Sequence, residues 1–336
     1  MSATTKTVIV LAARPQGRPV PSDLRLESAP IAAVGDGEFL VRNLYVSIDP
    51  FQRTLMGGGP GEAEPMNIGD PVFAGAVGRV EQSRHPDFAV GDHVVGWFGW
   101  QDRGVVAGEG VRKITGDAPL SASLGVLGMV GQTAWVGVTQ ILKPKVGETV
   151  VVSAASGGVG SLAGQIARLN GARVIGITGG AEKVRYLTEE LGFDAAVDYK
   201  APDFADQLAR AAPDGIDAAF ENVGGAVFQA VVANLNMYAR VALCGIISTY
   251  NSANPEVAND SDLLNVIYWK RLKLNAFAVL KYGELMPKFL EEMGGWLKSG
   301  KIVQVEDIVD GLEAIPLAFP RLFNGQTRGK LIAKLA

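Results

Sequence analysis

The segment Val150-Val151-Val152-Ser153-Ala154-Ala155-Ser156-Gly157-Gly158-Val159-Gly160 constrains this chain more than any other. Three consecutive valines predict a strand buried on both faces. Beyond the glycines, Leu162, Ala163, Ile166 and Ala167 recur with helical period from a start near Ser161. A strand that passes through so short a turn into an amphipathic helix is the opening of a βα unit, and the pattern continues downstream. Further strands are expected at Val174 to Ile177, Ala195 to Val197, Asp217 to Phe220, Val241 to Cys244 and Leu272 to Ala278, with helix-compatible stretches between most of them. The alternation predicts an α/β domain with a doubly wound parallel sheet, helices on both faces, and Val150 to Val152 as the central strand.

The first third follows a different rhythm. Short apolar runs at Val8 to Leu11, Phe39 to Val41, Val77 to Val80 and His93 to Phe98 are separated by Gly, Pro and Asp, which predicts a β-rich, barrel-like domain from Lys6 to about Ile114. After a helix-like segment from Tyr282 to Lys298, the tail carries two more short strand candidates, Val303 to Val305 and Leu331 to Ala333. We assign this tail to the first domain. The expected division is therefore residues 1–125 with 300–336, and 126–299. At 336 residues with 48% hydrophobic content, the chain is long enough for two ordinary cores.

The glycine turn also suggests a ligand. In the dinucleotide fingerprint G-x-G-x-x-G, Ala155 takes the first glycine position while Gly157 and Gly160 keep theirs. Gly157 lets the backbone approach a pyrophosphate, Gly160 allows close helix-to-strand packing, and the N–H groups of Gly158, Val159 and Gly160 open the helix toward anionic oxygens. A nucleotide-free turn could have the same length, but the flanking strand and helix supply the binding context. An NAD site ends its second strand in Asp or Glu; here Arg173 to Ile177 runs into Thr178-Gly179-Gly180, followed by Lys183, and the third strand is followed by Tyr199 and Lys200. A cation and a phenol where the acid is missing favour NADP(H).

Charge and composition exclude other functions. A net charge of -4 and a pI near 5.4, with no basic run, argue against nucleic acid and membrane surfaces as partners. Cys244 is the only cysteine, and no apolar run reaches the length of a membrane span, so a cytoplasmic location is expected. One cysteine and two histidines, His85 and His93, are too few for a catalytic zinc with a structural companion, and no metal is expected. Without a Lewis acid, alcohol oxidation is difficult. Reducing a conjugated double bond asks less: hydride adds to the β-carbon, and one or two hydrogen-bond donors, such as a tyrosine hydroxyl and the cofactor's ribose hydroxyl, stabilise the enolate.

Four further motifs carry a family resemblance: Tyr45-Val46-Ser47-Ile48-Asp49-Pro50, Gly128-Met129-Val130-Gly131-Gln132-Thr133-Ala134, Glu221-Asn222-Val223-Gly224-Gly225 and Cys244-Gly245-Ile246-Ile247-Ser248-Thr249-Tyr250-Asn251. In this order they resemble the zinc-independent medium-chain dehydrogenase/reductases, in the subgroup of leukotriene B4 12-hydroxydehydrogenase/prostaglandin reductase and the bacterial NADPH-dependent curcumin reductases. The resemblance implies a GroES-like β-barrel catalytic domain built from both chain ends around a Rossmann domain, with the site in the cleft between them. It implies that Gly157, Lys183 and Tyr199 contact the adenosine 2′-phosphate side. Thr133, Asn222, Cys244, Ser248 and Phe277 would lie toward the pyrophosphate or nicotinamide, and Tyr250 would be the active-site tyrosine. The chain departs from the pattern at Phe51-Gln52 (usually Tyr-Met before Arg53), at Val130 (usually Pro) and at Thr327 (usually Asn).

The expected activity is NADPH-dependent reduction of the carbon–carbon double bond of small α,β-unsaturated ketones and aldehydes. Quinone reduction with the same cofactor, and a non-catalytic NADPH-binding role in sensing or structure, are the competing readings. By resemblance, a homodimer forms through the sheet edge at Leu272 to Ala278. The cleft's shape depends on the loops Leu55 to Pro65 and Asn251 to Asp262.

Overall fold

The run Val8 to Leu11 is buried throughout, inside β1 (Thr5–Leu11), which pairs antiparallel with β2 (Leu24–Pro30) in the computed structural model of the protein. The structure describes residues 4–57, 64–252 and 261–335. A second sheet is formed from β3 (Phe39–Ser47), β4 (Ala76–Ser83), β5 (His93–Gly96), β6 (Arg103–Val106) and β7 (Arg112–Lys113), with the short helix α1 (Phe51–Leu55) after β3. Bridges from Val8 to Gln101 and from Val10 to Pro71 join the two sheets around one core that includes Ile9, Leu11, Phe39, Val41, Val80 and Trp100. Strands β2, β6 and β7 offer little apolar signal: β2 alternates only over Leu24-Arg25-Leu26-Glu27, buries only Leu24 and takes its register from β1. His85 packs among aromatic rings, 4.9 Å from Phe88 and 5.9 Å from Phe39, while His93 opens β5.

After helix α2 (Met129–Val136) the parallel sheet begins: β8 (Thr149–Val152), β9 (Arg173–Thr178), β10 (Ala195–Asp198), β11 (Ile216–Glu221), β12 (Leu235–Leu243) and β13 (Lys273–Ala276). Their order is β10-β9-β8-β11-β12-β13, with every pair parallel, so the valine strand is central as expected. It feeds both faces: Val150 and Val152 enter the core under helix α3 (Gly158–Leu169), and Val151 enters the core on the opposite side. Strand order reverses at β8, which opens a crevice at the carboxyl ends of β8 and β11. β12 starts earlier than expected: Leu235 already pairs with Ile216, and a register shift with a left-handed Tyr238 (φ 62°) accommodates residues 236–239 before pairing with β11 resumes at Arg240.

The chain end returns to the N-terminal sheet. β14 (Glu306–Asp310) pairs parallel with β15 (Lys330–Lys334), and β15 pairs antiparallel with β3. The strand expected at Val303 to Val305 does not form. The side-chain amide of Gln165 on α3 takes both polar groups of Val303: its Oε1 accepts from Val303 N (2.7 Å) and its Nε2 donates to Val303 O (3.1 Å). A side chain from the other lobe thus replaces the ladder and displaces the strand to Glu306.

Candidate active site

The glycine turn is built from three distinct backbone requirements. Ala154 adopts φ 48°, an unusual conformation for a residue with a Cβ, which costs about 1–2 kcal/mol. Its carbonyl accepts from Gly157 N at 3.0 Å and closes the turn. Ala155, at the first fingerprint position, is fully buried against Gly176 of β9, so the left-handed residue sits one position earlier than the fingerprint suggests. At Gly160 a Cβ would lie 2.4 Å from the Ala154 carbonyl oxygen, and only glycine lets α3 pack this close. Gly157 differs: its φ and ψ, -83° and 175°, suit any residue, and a Cβ there would meet only Ala154 O at 3.3 Å. Helix α3 starts at Gly158, three residues before Ser161, with no side-chain cap over its first N–H groups.

These residues open onto a cavity of about 740 Å³ between the two lobes, and Gly157 to Gly160, Lys183, Tyr199, Thr133, Asn222, Cys244, Ser248, Phe277 and Tyr250 all line it. At the end of the cavity beside β9, the buried pair Ser156 Oγ and Thr178 Oγ1 (2.8 Å apart) pins the end of the strand where an acid would stand in an NAD site. Tyr199 packs over Gly179, whose Cβ would lie 2.8 Å from the ring. Lys183, on helix α4 (Ala181–Arg185), directs its ammonium at two carbonyls of the opposite lobe, Gly325 O (2.7 Å) and Thr327 O (2.6 Å). An ammonium has three donors, so one is left for an anion in the cavity. Burial, followed by the neighbouring Lys200, lowers the Lys183 pKa, and an arriving phosphate would reverse that penalty.

Toward the other end, Asn222 is held by Ser153: its backbone N–H donates to Ser153 Oγ (2.8 Å) and its Nδ2 to Ser153 O (2.7 Å). The buried Glu221 carboxylate supports the same turn by accepting from Val223 N (2.7 Å) and Gly224 N (2.6 Å). Cys244 N donates to Glu221 O and Phe277 N to Leu243 O, each just past the end of its strand, and Ser248 N, in the helical turn that follows β12, donates to Val223 O. Thr133 donates its hydroxyl to Met129 O at 2.8 Å, one helical turn back. The Tyr250 hydroxyl lies 3.0 Å from where a Cβ on Gly245 would be, so glycine makes room for it. Burial, with the adjacent Cys244, raises the Tyr250 pKa, which keeps the phenol a proton donor.

A sequence reading missed the buried pair Lys330 and Asp49, both cavity-lining. Lys330 Nζ lies 3.0 Å from Asp49 Oδ1 and donates to Ile48 O (2.9 Å) and Leu331 O (2.7 Å). The Lys330 backbone lies 3.4 Å from a Cβ placed on Gly158, and Gly329 N donates to Ser156 O (2.8 Å), so the tail rests directly on the glycine turn. Asp49 lies inside a recognisable motif, but nothing local marks its partner 281 residues later. The departures Phe51, Val130 and Thr327 all line the cavity. Of the two shape-setting loops, residues 58–63 and 253–260 lie outside the described residues. Among the described residues, no three His, Cys, Asp or Glu converge on a metal position.

Comparison with known proteins places this geometry. Residues 7–114 match a family model described as the N-terminal domain of oxidoreductase, and residues 158–293 match one described as zinc-binding dehydrogenase. The chain is 46% identical over 332 residues to the NADPH-dependent curcumin reductase of Escherichia coli (strain K12), covering 97% of this chain and 96% of that protein. It is 40% identical over 327 residues to the 2-alkenal reductase (NADP(+)-dependent) of Nicotiana tabacum, covering 95% and 94%. The crystal structure of CurA from Vibrio vulnificus in complex with NADPH superposes with a TM-score of 0.94 at 43% identity, over 98% of this chain and 99% of that one. The chain therefore belongs to the medium-chain dehydrogenase/reductases, in the zinc-independent subgroup that contains the curcumin, alkenal and prostaglandin reductases.

Proposed function

We propose that this protein is an NADPH-dependent reductase of the carbon–carbon double bond of α,β-unsaturated ketones and aldehydes. The observation that carries the reading is one cavity that joins the uncapped start of α3 and Lys183 to Tyr250. It lies between residues 1–125 with 300–336 and residues 126–299, which we take as the two domains. The cradle fits the cofactor: Gly157 has dihedral angles that suit any residue, a Cβ there would meet a single protein atom, Ala154 O at 3.3 Å, and the residue lines the cavity, which supports close approach of a ligand as a reason for glycine.

Bound NADPH would supply a hydride to an electron-poor carbon. The N–H groups of Gly158, Val159 and Gly160 would hold the pyrophosphate, and Lys183 and Tyr199 the 2′-phosphate side. Asn222, Thr133, Cys244, Ser248 and Phe277 would shape the nicotinamide half. The Tyr250 hydroxyl would donate a hydrogen bond to the substrate carbonyl oxygen, where negative charge collects as the β-carbon is reduced. The α-carbon then takes its proton from Tyr250 or from water.

The test is NADPH consumption with a panel of enones, enals and quinones, with product analysis. Saturated ketone or aldehyde as product supports the reading; NADPH binding with no turnover on any enone or enal rejects it, and hydroquinone as the sole product reassigns it. We further propose a homodimer through β13, all of whose residues are exposed, beside exposed Tyr268 and Trp269. Light scattering on the purified protein decides that point. No described helix is long and apolar enough to cross a membrane, and a cytoplasmic location is part of the same proposal.

A further inference from the structure

Arg18 belongs to none of the sequence motifs, yet it lines the cavity between the two lobes. It stands exposed at the rim, on a loop whose backbone is fixed on both sides. Before it, the buried Arg53 donates to Gly17 O from Nε (3.3 Å) and Nη2 (3.0 Å), to Pro15 O from Nη2 (3.3 Å) and to Gly57 O from Nη1 (2.8 Å). After it, Val20 N donates to Asp23 Oδ2 at 2.7 Å. Gly17 itself takes φ 85°, a left-handed conformation that suits glycine. A buried guanidinium committed to loop carbonyls thus fixes the backbone of Arg18 at the rim, and a binding residue needs such support.

The Arg18 side chain reaches the returning tail at its Lys183 end. Arg18 Nη1 donates to Asn324 Oδ1 (2.9 Å), and the next residue, Gly325, gives its carbonyl to Lys183 Nζ (2.7 Å). A Cβ on Gly325 would lie 3.6 Å from the Tyr199 hydroxyl. Farther along the same tail, Gly329 and Lys330 rest on the glycine turn. The tail therefore runs from the 2′-phosphate side to the pyrophosphate side of the cradle, and Arg18 stands at the first. Among the described residues, no ion pair involves Arg18, Lys183 or Lys200. Asp307 and Glu182 act on Lys183 from farther off, and Asp307 is held by Arg321 at 2.7 Å. Of the five N–H donors that a guanidinium carries, only one nitrogen of Arg18 is engaged among the described residues. Cations gathered at a cavity with no carboxylate paired to them suit an anionic ligand.

We propose that Arg18 is a second ligand of the cofactor's 2′-phosphate, so that this phosphate is held from both lobes, by Lys183 on the nucleotide side and by Arg18 across the cleft. The proposal rests on the reading above that puts Lys183 and Tyr199 on the 2′-phosphate side. The two cations are not equivalent. An ammonium acts on a phosphate as a point charge, whereas the planar guanidinium fork can bond two of its oxygens at once. NADPH bound in this way bridges the lobes at its adenosine end, and NADH, which lacks the phosphate, does not.

The experiment needs no turnover: fluorescence titration of the purified protein gives Kd for NADPH and NADH, and calorimetry gives Kd for adenosine 2′,5′-bisphosphate and 5′-AMP. Arg18→Ala should weaken NADPH and the bisphosphate about tenfold and leave NADH and 5′-AMP within about twofold. Arg18→Lys keeps the charge without the fork and should recover part of the loss. Asn324→Ala breaks the same bond to Arg18 but keeps the guanidinium, so it should bind NADPH as the wild type does. A loss in Asn324→Ala as large as in Arg18→Ala would make Arg18 a tether for the tail and overturn the proposal. Equal weakening of NADPH and NADH overturns it, as does unchanged affinity for both. So does an effect confined to the KM of enones that carry a carboxylate, which would assign the guanidinium to the substrate. If Lys183→Ala abolishes the preference for NADPH and Arg18→Ala leaves it intact, only the role of Arg18 falls. If neither variant alters the preference, the reading of Lys183 falls with it.

Discussion

Substituting alanine for glycine at two positions of one turn should produce opposite outcomes. At Gly160 the added methyl would lie 2.4 Å from Ala154 O, 2.9 Å from Ala154 C and 2.9 Å from Ala155 Cα, all backbone atoms that cannot rotate away. Helix α3 must therefore shift off β8. Overpacking of this kind costs about 1–3 kcal/mol, and more where backbone blocks relaxation. For a domain of this size each kcal/mol lowers Tm by about 2–4 °C, so Gly160→Ala should melt several degrees below the wild type. At Gly157 the only neighbour is Ala154 O at 3.3 Å and the dihedral angles suit alanine. Gly157→Ala should change Tm far less than Gly160→Ala: the 3.3 Å approach asks Ala154 O to give by a few tenths of an ångström, set against the gain from a less flexible unfolded chain. Its methyl instead faces the cavity and holds the pyrophosphate away from the N–H groups of α3. Losing a hydrogen bond to a charged group costs about 1.5–3 kcal/mol, equivalent to roughly ten- to a hundredfold in affinity for NADPH. The assay is scanning fluorimetry with and without cofactor, together with NADPH titration by fluorescence. If Gly157→Ala binds NADPH as well as the wild type does, or Gly160→Ala keeps the wild-type Tm, the two glycines do not divide ligand approach and helix packing between them.

Four further outcomes are expected. Lys183→Ala should weaken NADPH by about tenfold or more and NADH much less, since a charge-assisted hydrogen bond to the 2′-phosphate is lost; equal weakening in titrations of both cofactors would exclude that role. Tyr250→Phe should lower kcat by about ten- to a hundredfold with unchanged NADPH affinity, and unchanged kcat would reduce Tyr250 to packing. Lys330→Met strands the buried Asp49 carboxylate and should cost about 3–5 kcal/mol in thermal unfolding, partly recovered when Asp49→Asn is added; a loss below about 1 kcal/mol refutes the pairing. Burial, reinforced by Glu221, pushes the Cys244 thiol from its ordinary 9.0 up to about 12, so iodoacetamide should modify the folded protein far more slowly than the unfolded chain. Because the unfolded thiol ionises first, this group's contribution to stability is intact below about pH 9 and is lost as the pH rises toward about 12. Denaturant titrations of the wild type and Cys244→Ala across that range check the sign.

The parts of this molecule legible in the sequence are those written locally. Three valines, a glycine turn and a helical period specify β8 and α3 because strand, turn and helix preferences act within a few residues. Thr178-Gly179-Gly180 showed the missing acid for the same reason, and motifs that keep their spacing named residues that meet at one cavity. What the sequence did not reveal required residues far apart to meet. Lys330 and Asp49 are one example. Others are Lys183 reaching the carbonyls of Gly325 and Thr327, and Gln165 replacing the expected strand at Val303. Even beside the best-read motif, the left-handed conformation of Ala154 went unread, because nothing in Ala154-Ala155 marks which residue the turn will strain. Sequence alone determined the α/β class, the glycine turn and part of the cavity lining. Only the tertiary structure decided how the two lobes interlock around them, since a buried charge pair has no local period and exists only once the chain has closed on itself.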